Sequence, residues 1–99
     1  MARLIWSPQS VDDLEAICEY IAKDSPEYAR IVAGRIWDVV ESIPLQPRAG
    51  RVVPEYGLDE LRERIVGNYR LIYRLVGEDV QVVTIFHGAR VLKLEDRQD

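Results

Sequence analysis

The chain of 99 residues contains one cysteine and one histidine. A lone Cys18 excludes an internal disulfide and supplies no pair of thiolate ligands. Because it falls on the apolar side of a predicted helix, we expect it to act as a small buried hydrophobe. With one histidine and no convergent Asp or Glu spacing, no metal site is predicted. No cofactor is predicted either, because the chain has no phosphate loop and no dinucleotide fingerprint.

Long apolar runs are also lacking. None approaches the ~20 residues that a membrane-spanning helix requires, and Met1-Ala2-Arg3 leads into no signal-like segment. We therefore expect a cytoplasmic protein without a membrane partner. The length is that of one domain, with no linker, repeat or low-complexity segment, so residues 1–99 are predicted to form a single domain.

An excess of basic residues is missing as well. The chain has 13 Lys and Arg against 17 Asp and Glu, a net charge of −4. Residues 1–47 hold eight acids and four bases, whereas residues 48–99 hold nine of each. Phosphate backbones are bound mainly through lysine and arginine, so direct nucleic-acid binding is disfavoured. The even balance of the second half leaves room for a local arginine patch.

Two helix starts stand in the first half of the chain. Arg3-Leu4-Ile5-Trp6 is predicted to be a short strand that ends at Ser7-Pro8, and Ser25-Pro26 repeats the same signal. Serine caps helix N-termini well and proline is tolerated at the first helical position. The predicted helices run from residue 8 to about 22 and from residue 26 to about 42. Their apolar stripes have helical spacing and consist of Val11, Leu14, Ile17, Cys18 and Ile21, then Ala29, Val32, Ala33, Ile36, Val40 and Ile43.

Three apolar runs in the second half predict a meander of strands, Leu61–Val66, Tyr69–Val76 and Val80–Phe86. The short Gly67-Asn68 and Gly77-Glu78-Asp79 segments between them are typical of hairpin turns. Arg51-Val52-Val53 is predicted to be a brief edge strand. The predicted fold class is therefore α+β, in the order β-α-α-β-β-β, with the helical hairpin packed on one face of an antiparallel sheet.

Arginines concentrate in the meander. Alternation places Arg70 and Arg74 on one side of the middle strand. We expect Arg62 and Arg64 to share that side, and Glu63 to point toward the core. Burying four arginines is costly, so this face should stay at least partly exposed, and Arg70→Ala and Arg90→Ala should leave folding nearly intact.

Candidate contact residues follow from this face and from the end of the last strand. His87 is the only side chain whose ordinary pKa suits acid–base work near neutral pH, and Arg90 lies close behind it. The alternatives are a structural, hydrogen-bonding histidine and arginines that form salt bridges with Glu60, Glu63 and Glu78. The candidates are Arg62, Arg64, Arg70, Arg74, His87 and Arg90.

The same residues carry a family resemblance. The segments RERIVGNYRLIYRL and VQVVTIFHGAR resemble the C-terminal half of the RelE/ParE family of type II toxin–antitoxin toxins. The segment WSPQSVDDLEAICEYIA resembles the first helix of that family. The resemblance covers about residues 3 to 92 and is closer to ParE.

The ParE-like interpretation implies inhibition of DNA gyrase by protein–protein contact, without catalysis by the toxin. It also implies a cognate ParD-like antitoxin, whose disordered C-terminal segment folds across the toxin on binding. A plasmid-stabilisation role belongs to the same interpretation.

A RelE-like mRNA endoribonuclease is the alternative. The resemblance then implies Arg70 and Arg90 as phosphate-stabilising residues, with His87 as a further catalytic candidate. Two departures from the RelE-like pattern oppose this alternative. Leu61 and Glu63 stand where those nucleases carry basic residues, and no tyrosine follows Arg90. A third alternative is a non-toxic remnant that serves only as a binding module.

Overall fold

Two helices packed on a five-stranded sheet form the fold, which confirms the predicted α+β class. The structure is a computed structural model that describes residues 3–90, 92 and 94. Its elements are β1 (Leu4–Trp6), α1 (Pro8–Ala22), α2 (Pro26–Ser42), β2 (Arg51–Val52), β3 (Leu61–Val66), β4 (Tyr69–Val76) and β5 (Asp79–His87), with two short 3₁₀ turns at Ile43–Leu45 and Pro47–Ala49.

The strand order is β1-β5-β4-β3-β2, and β3, β4 and β5 form the predicted antiparallel meander. Strand β1 instead pairs with β5 in parallel, with Ile5 opposite Gln81. The sheet is therefore mixed rather than purely antiparallel. A parallel neighbour needs a long crossover connection, and everything from α1 to β4 lies between these two strands.

Both helices begin and end where the sequence predicts. The Ser7 hydroxyl accepts a hydrogen bond from the Ser10 N–H at 3.0 Å, and the Ser25 hydroxyl accepts one from the Tyr28 N–H at 3.1 Å. Each contact satisfies a backbone donor that the first helical turn leaves unpaired.

The main core lies between the helices and one face of the sheet. Five of the six stripe positions predicted for α2 are buried. In α1, Leu14, Ile17 and Ile21 pack against this core, whereas Val11 is 42% exposed and lies off the buried stripe. Cys18 is half-buried rather than fully buried. The buried core residues are Val32, Ile36, Val40, Ile43, Val66, Leu71, Tyr73, Val80, Val82 and Ile85.

The face of the sheet opposite the helices, called the second face below, carries a smaller apolar cluster. Its buried members are Val53, Leu61, Ile72 and Leu92, and Tyr56, Val83, Phe86 and Leu94 pack against them. The chain between β2 and β3 and the residues at 92 and 94 therefore cover the middle of this face. The face is therefore only partly open, as the arginines predict, with Ile65 at 59% and Val76 at 51% exposure accessible to solvent.

The C-terminal predictions are only partly within the described residues. Residues 91–94 are predicted to extend the last strand or begin a turn. Strand β5 ends at His87, Leu92 lies outside any strand, and Leu94 falls in a 3₁₀ turn. Val91, Lys93 and the predicted polar tail at 95–99 lie outside the residues that the structure describes.

Candidate functional site

The register of the β3–β4 hairpin decides which face each arginine occupies. Gly67 and Asn68 form a two-residue turn, so Val66 pairs with Tyr69 and Arg62 pairs with Tyr73. Directly paired residues of antiparallel strands point to the same face. Arg62 and Arg64 therefore lie on the helix-covered face.

Arg70 and Arg74 lie on the second face together with Glu63, which pairs with Ile72. The expectation of four arginines on one face, with Glu63 opposite, is wrong. A two-residue turn pairs odd-numbered positions of one strand with even-numbered positions of the next, which the alternation within single strands does not reveal.

Arg62 is a buried structural residue. Its guanidinium donates hydrogen bonds to the backbone oxygens of Asp59, Gly50 and Arg48 at 2.7, 3.0 and 3.1 Å. It also forms an ion pair with the Asp59 carboxylate at 2.7 Å. Because these contacts satisfy carbonyl groups in the connections on both sides of β2, Arg62 orders the local chain. These contacts commit most of its N–H donors to the fold.

Arg70 lies at the centre of a buried ion-pair network and is only 7% exposed. Its Nε donates to Glu63 Oε1 at 2.8 Å, while Nη1 and Nη2 bind the two Glu55 oxygens at 2.6 and 2.8 Å. Glu63 also pairs with Arg51 from the edge strand. The guanidinium carbon stands 5.3 Å from the centre of the Phe86 ring, a cation–π distance. The network thus balances two arginines with two glutamates.

The network keeps both Arg70 and Glu55 ionised. Hydrogen bonds from Arg70 lower the pKa of Glu55 from 4.5 to about 2, and the Glu55 carboxylate raises the pKa of Arg70 above its ordinary value. Arg70 makes five hydrogen bonds in total, the last from Nη1 to the Arg90 carbonyl oxygen at 3.4 Å. A guanidinium has five N–H donors, so this one has none left for a phosphate.

The other predicted site residues reach the surface to different degrees. Arg74 on the second face is exposed, and Arg64 is half-buried on the helix-covered face. Arg70 lies close to the end of β5, because Tyr69 and Arg70 pair with His87 and Phe86. The His87 and Arg90 side chains lie at this end of the sheet and are exposed.

His87 has a local structural role. Its ring packs edge-on against Tyr69 at a centroid distance of 5.8 Å, and its Nδ1 accepts a hydrogen bond from the Ala89 N–H at 3.2 Å. That contact stabilises the turn after β5 and assigns the neutral-ring proton to Nε2. The exposed side chains of His87 and Arg90 are accessible to a partner at this end of the sheet.

Sequence reasoning missed Glu55 and Arg51. Glu55 stands in the connection before β3 and Arg51 in an edge strand, and neither position has a motif that signals an ion pair. The salt-bridge alternative is confirmed for Glu63, and Glu55 and Asp59 also pair with meander arginines. The sequence pattern gave no reason to name Glu55 or Asp59, since these pairs depend on how the connection before β3 folds back.

Among residues 3–90, 92 and 94, no group of three or more His, Cys, Asp and Glu side chains is placed to hold a metal ion. No helix in the same set is both long and apolar enough to cross a membrane.

Comparison with known sequences gives consistent matches. The family model described as "ParE toxin of type II toxin-antitoxin system, parDE" matches residues 4–92. Toxin RelE2 of Caulobacter vibrioides is 33% identical over 92 residues, which cover 92% of this chain and 100% of that protein. Putative toxin Y4kP of Sinorhizobium fredii is 30% identical over 88 residues, covering 87% of this chain and 88% of that protein.

Solved structures match the fold. A chain from the chromosomal ParDE system of P. aeruginosa superposes with a TM-score of 0.73 at 22% identity, covering 88% of this chain and 96% of that chain. A chain of the YoeB dimer from Staphylococcus aureus gives a TM-score of 0.57 at 15% identity, covering 84% and 92%. At these identities the likeness concerns the arrangement of helices and strands.

Proposed function

Because this chain belongs to the ParE toxin family of type II toxin–antitoxin systems, we propose that it inhibits DNA gyrase through protein–protein contact and makes or breaks no bond itself. Membership of the wider ParE/RelE superfamily makes it the toxin of such a pair. The proposal concerns the target, for which this superfamily offers two mechanisms.

The saturated guanidinium of Arg70 is the observation that carries the proposal. RNA cleavage needs a donor that meets the charge developing on the phosphate. All five donors of Arg70 bind Glu55, Glu63 and the Arg90 carbonyl oxygen. To meet a phosphate, the side chain would have to leave two carboxylates, one of them with a fully buried side chain. Leaving buried carboxylates unpaired costs several kcal/mol.

Net charge supports the same mechanism. A chain with a charge of −4 lacks the general attraction for a phosphate backbone that a ribosome-dependent nuclease needs. Contact with a protein target imposes no such requirement. Exposed apolar groups on the second face, such as Ile65 and Val76, suit protein contact better than phosphate contact.

One observation favours the endoribonuclease as a second candidate. His87 and Arg90 are exposed at the same end of the sheet, and a relative that is 33% identical carries the name RelE2. An exposed imidazole beside an exposed guanidinium is a combination that can move a proton and hold a phosphate. The functional test must therefore address both mechanisms.

The proposed partner is a ParD-like antitoxin encoded with the toxin, in a complex formed in the cytoplasm, where gyrase also acts. We propose Arg64, Arg74, His87 and Arg90 as the contact residues among the original candidates, because they remain accessible to different degrees. Arg62 and Arg70 leave this set, since their guanidinium groups are committed to intramolecular contacts.

One purified preparation, tested in two assays, decides between the mechanisms. The expected result is inhibition of gyrase supercoiling, or trapping of cleaved DNA, with ribosome-bound mRNA left uncut. The variant H87A/R90A removes the exposed pair at the end of the sheet and should still leave mRNA uncut. Arg48→Ala is the matched control, since Arg48 is an exposed arginine whose side chain forms an ion pair with exposed Asp59. The opposite result would be site-specific mRNA cleavage by the wild type, abolished in H87A/R90A and retained in Arg48→Ala, with gyrase unaffected. That result would show that the toxin is an RNA-cleaving enzyme and not a gyrase inhibitor.

A further inference from the structure

The C-terminal part of the chain is attached to the second face through the ion-pair network. The Leu92 N–H donates to Glu55 Oε2 at 3.1 Å, the same oxygen that receives Arg70 Nη1 at 2.6 Å. The Arg90 carbonyl oxygen accepts from Arg70 Nη1 at 3.4 Å. One guanidinium and one carboxylate therefore bind the backbone on both sides of residue 91.

A neighbouring contact repeats this attachment two residues later. The Tyr56 hydroxyl accepts a hydrogen bond from the Leu94 N–H at 2.7 Å. Tyr56 follows Glu55 directly, so one short stretch between β2 and β3 supplies the acceptors for both Leu92 and Leu94. Neither amide is bound by a strand neighbour, because β5 ends at His87.

Apolar burial accompanies these polar contacts. Leu92 is 5% exposed and packs in the cluster with Val53, Leu61 and Ile72 on the second face. Leu94 packs at the margin of the same cluster. The Phe86 ring lies beside both the cluster and the Arg70 guanidinium. Leu92 is thus one of the side chains that cover this apolar patch.

We propose that Arg70, Glu55 and Tyr56 form a clamp that holds the chain at Leu92 and Leu94 over the second face, and that Arg70 is a positioning residue within it. Arg70 fixes both oxygens of Glu55 in a bidentate pair, and Glu55 then presents one of them to the Leu92 amide. The residue that the nuclease interpretation assigns to phosphate chemistry thereby orders the C-terminal part of the chain. The clamp does not depend on which target the toxin acts on.

A consequence for binding follows from the covered patch. A partner that needs Val53, Leu61 and Ile72 has to displace Leu92, which requires release of the Glu55 hydrogen bond. A partner that uses the exposed residues Ile65, Arg74 or Val76 meets no such barrier. The clamp therefore divides the second face into a closed part and an open part.

Amide hydrogen exchange measured by NMR on the isolated toxin tests the clamp residue by residue. In the wild type, the Leu92 and Leu94 amides should be protected although they lie outside any strand. Glu55→Gln replaces one acceptor oxygen by an N–H₂ group that opposes the Arg70 donors, so Leu92 exchange should accelerate about tenfold or more relative to Ile72. Arg48→Ala, which breaks an exposed ion pair outside the clamp, should leave the exchange rates of both amides unchanged.

Tyr56→Phe provides a second variant if Glu55→Gln does not fold. It removes the Tyr56 hydroxyl that binds the Leu94 amide, so Leu94 should exchange faster while Leu92 keeps its protection. Unprotected Leu92 and Leu94 amides in the wild type would overturn the clamp without any variant. Equal acceleration of Leu92 and Ile72 in Glu55→Gln, or unchanged exchange of Leu94 in Tyr56→Phe, would also overturn it.

Discussion

The two faces of the sheet are stabilised by different kinds of interaction. The helix-covered face is closed by aliphatic and aromatic side chains such as Ile36, Leu71 and Tyr73, all fully buried. The second face is closed by a small apolar cluster and by the charged network of Arg70, Glu55, Glu63 and Arg51. Apolar contacts are non-directional, whereas a buried charge needs an oppositely charged partner in good hydrogen-bonding geometry.

This difference decides how each face can fail. Removing a methyl group from the first face leaves a cavity whose cost scales with its size. Removing one charge from the second face leaves an opposite charge that is buried without its partner. The ion-pair network of the second face should therefore respond to pH and to single charge changes, and the apolar core of the first face should not.

The largest expected effect is on the helix-covered face. Ile36→Ala should lower the free energy of unfolding by about 4 kcal/mol, because the side chain is fully buried in the main core. Urea denaturation at neutral and acidic pH measures this loss, which should be the same at both. The matched control is Ile31→Ala on the same helix, where the side chain is half exposed. A loss of similar size in both variants would contradict the assigned burial.

Arg70→Ala should lower the free energy of unfolding by about 3 kcal/mol at neutral pH, because Glu55 loses its partner and Glu63 keeps only Arg51. Sequence alone predicts almost no loss, so urea denaturation separates the two interpretations. Unchanged stability together with lost growth inhibition would show that Arg70 contacts a target.

The wrong expectation for Arg70 shows which parts of this fold can be predicted from the sequence. The helices were predictable because Ser7-Pro8 and Ser25-Pro26 mark their starts and apolar residues recur at helical spacing. The meander was predictable because short Gly-containing turns separate its three runs. These are local signals, carried by the periodicity of single segments and by the composition of the short turns between them.

The partners of the arginines were not predictable in the same way. Arg70 and Glu55 are 15 positions apart, and Glu55 and Leu92 are 37 apart. Such pairs form only after the connection before β3 folds over the sheet, and no periodicity reports that step. The face of Arg62, in contrast, was predictable, because a two-residue turn fixes the pairing of the strands it joins.

Acid should weaken the ion-pair network of the second face. Arg70 lowers the pKa of Glu55 from 4.5 to about 2, so the carboxylate stabilises the fold fully above about pH 4.5. That contribution is lost as the pH falls toward about 2. The stability difference between wild type and Glu55→Gln should therefore shrink across this range in urea denaturation. A difference that stays constant or grows on acidification would contradict the assignment.

The smallest expected effect is that of Arg74→Ala. Arg74 lies on the same strand and the same face as Arg70 but is exposed, so its loss should change the free energy of unfolding by less than about 0.5 kcal/mol. The measurement is the same urea denaturation, with Arg70→Ala run in parallel. A loss as large as that of Arg70→Ala would remove the contrast between the closed and open parts of the second face.

A double-mutant cycle on Arg70 and Glu55 tests most directly whether the charge of Arg70 acts inside the fold. Arg70→Met keeps much of the apolar stem and removes the charge, while Glu55→Gln removes the opposite charge at similar volume. Urea denaturation of the wild type, both single variants and the double variant yields the coupling free energy. We predict a favourable coupling of about 1–2 kcal/mol at neutral pH. Additive effects within about 0.3 kcal/mol would show that the two side chains act independently, and that Arg70 remains free for a partner.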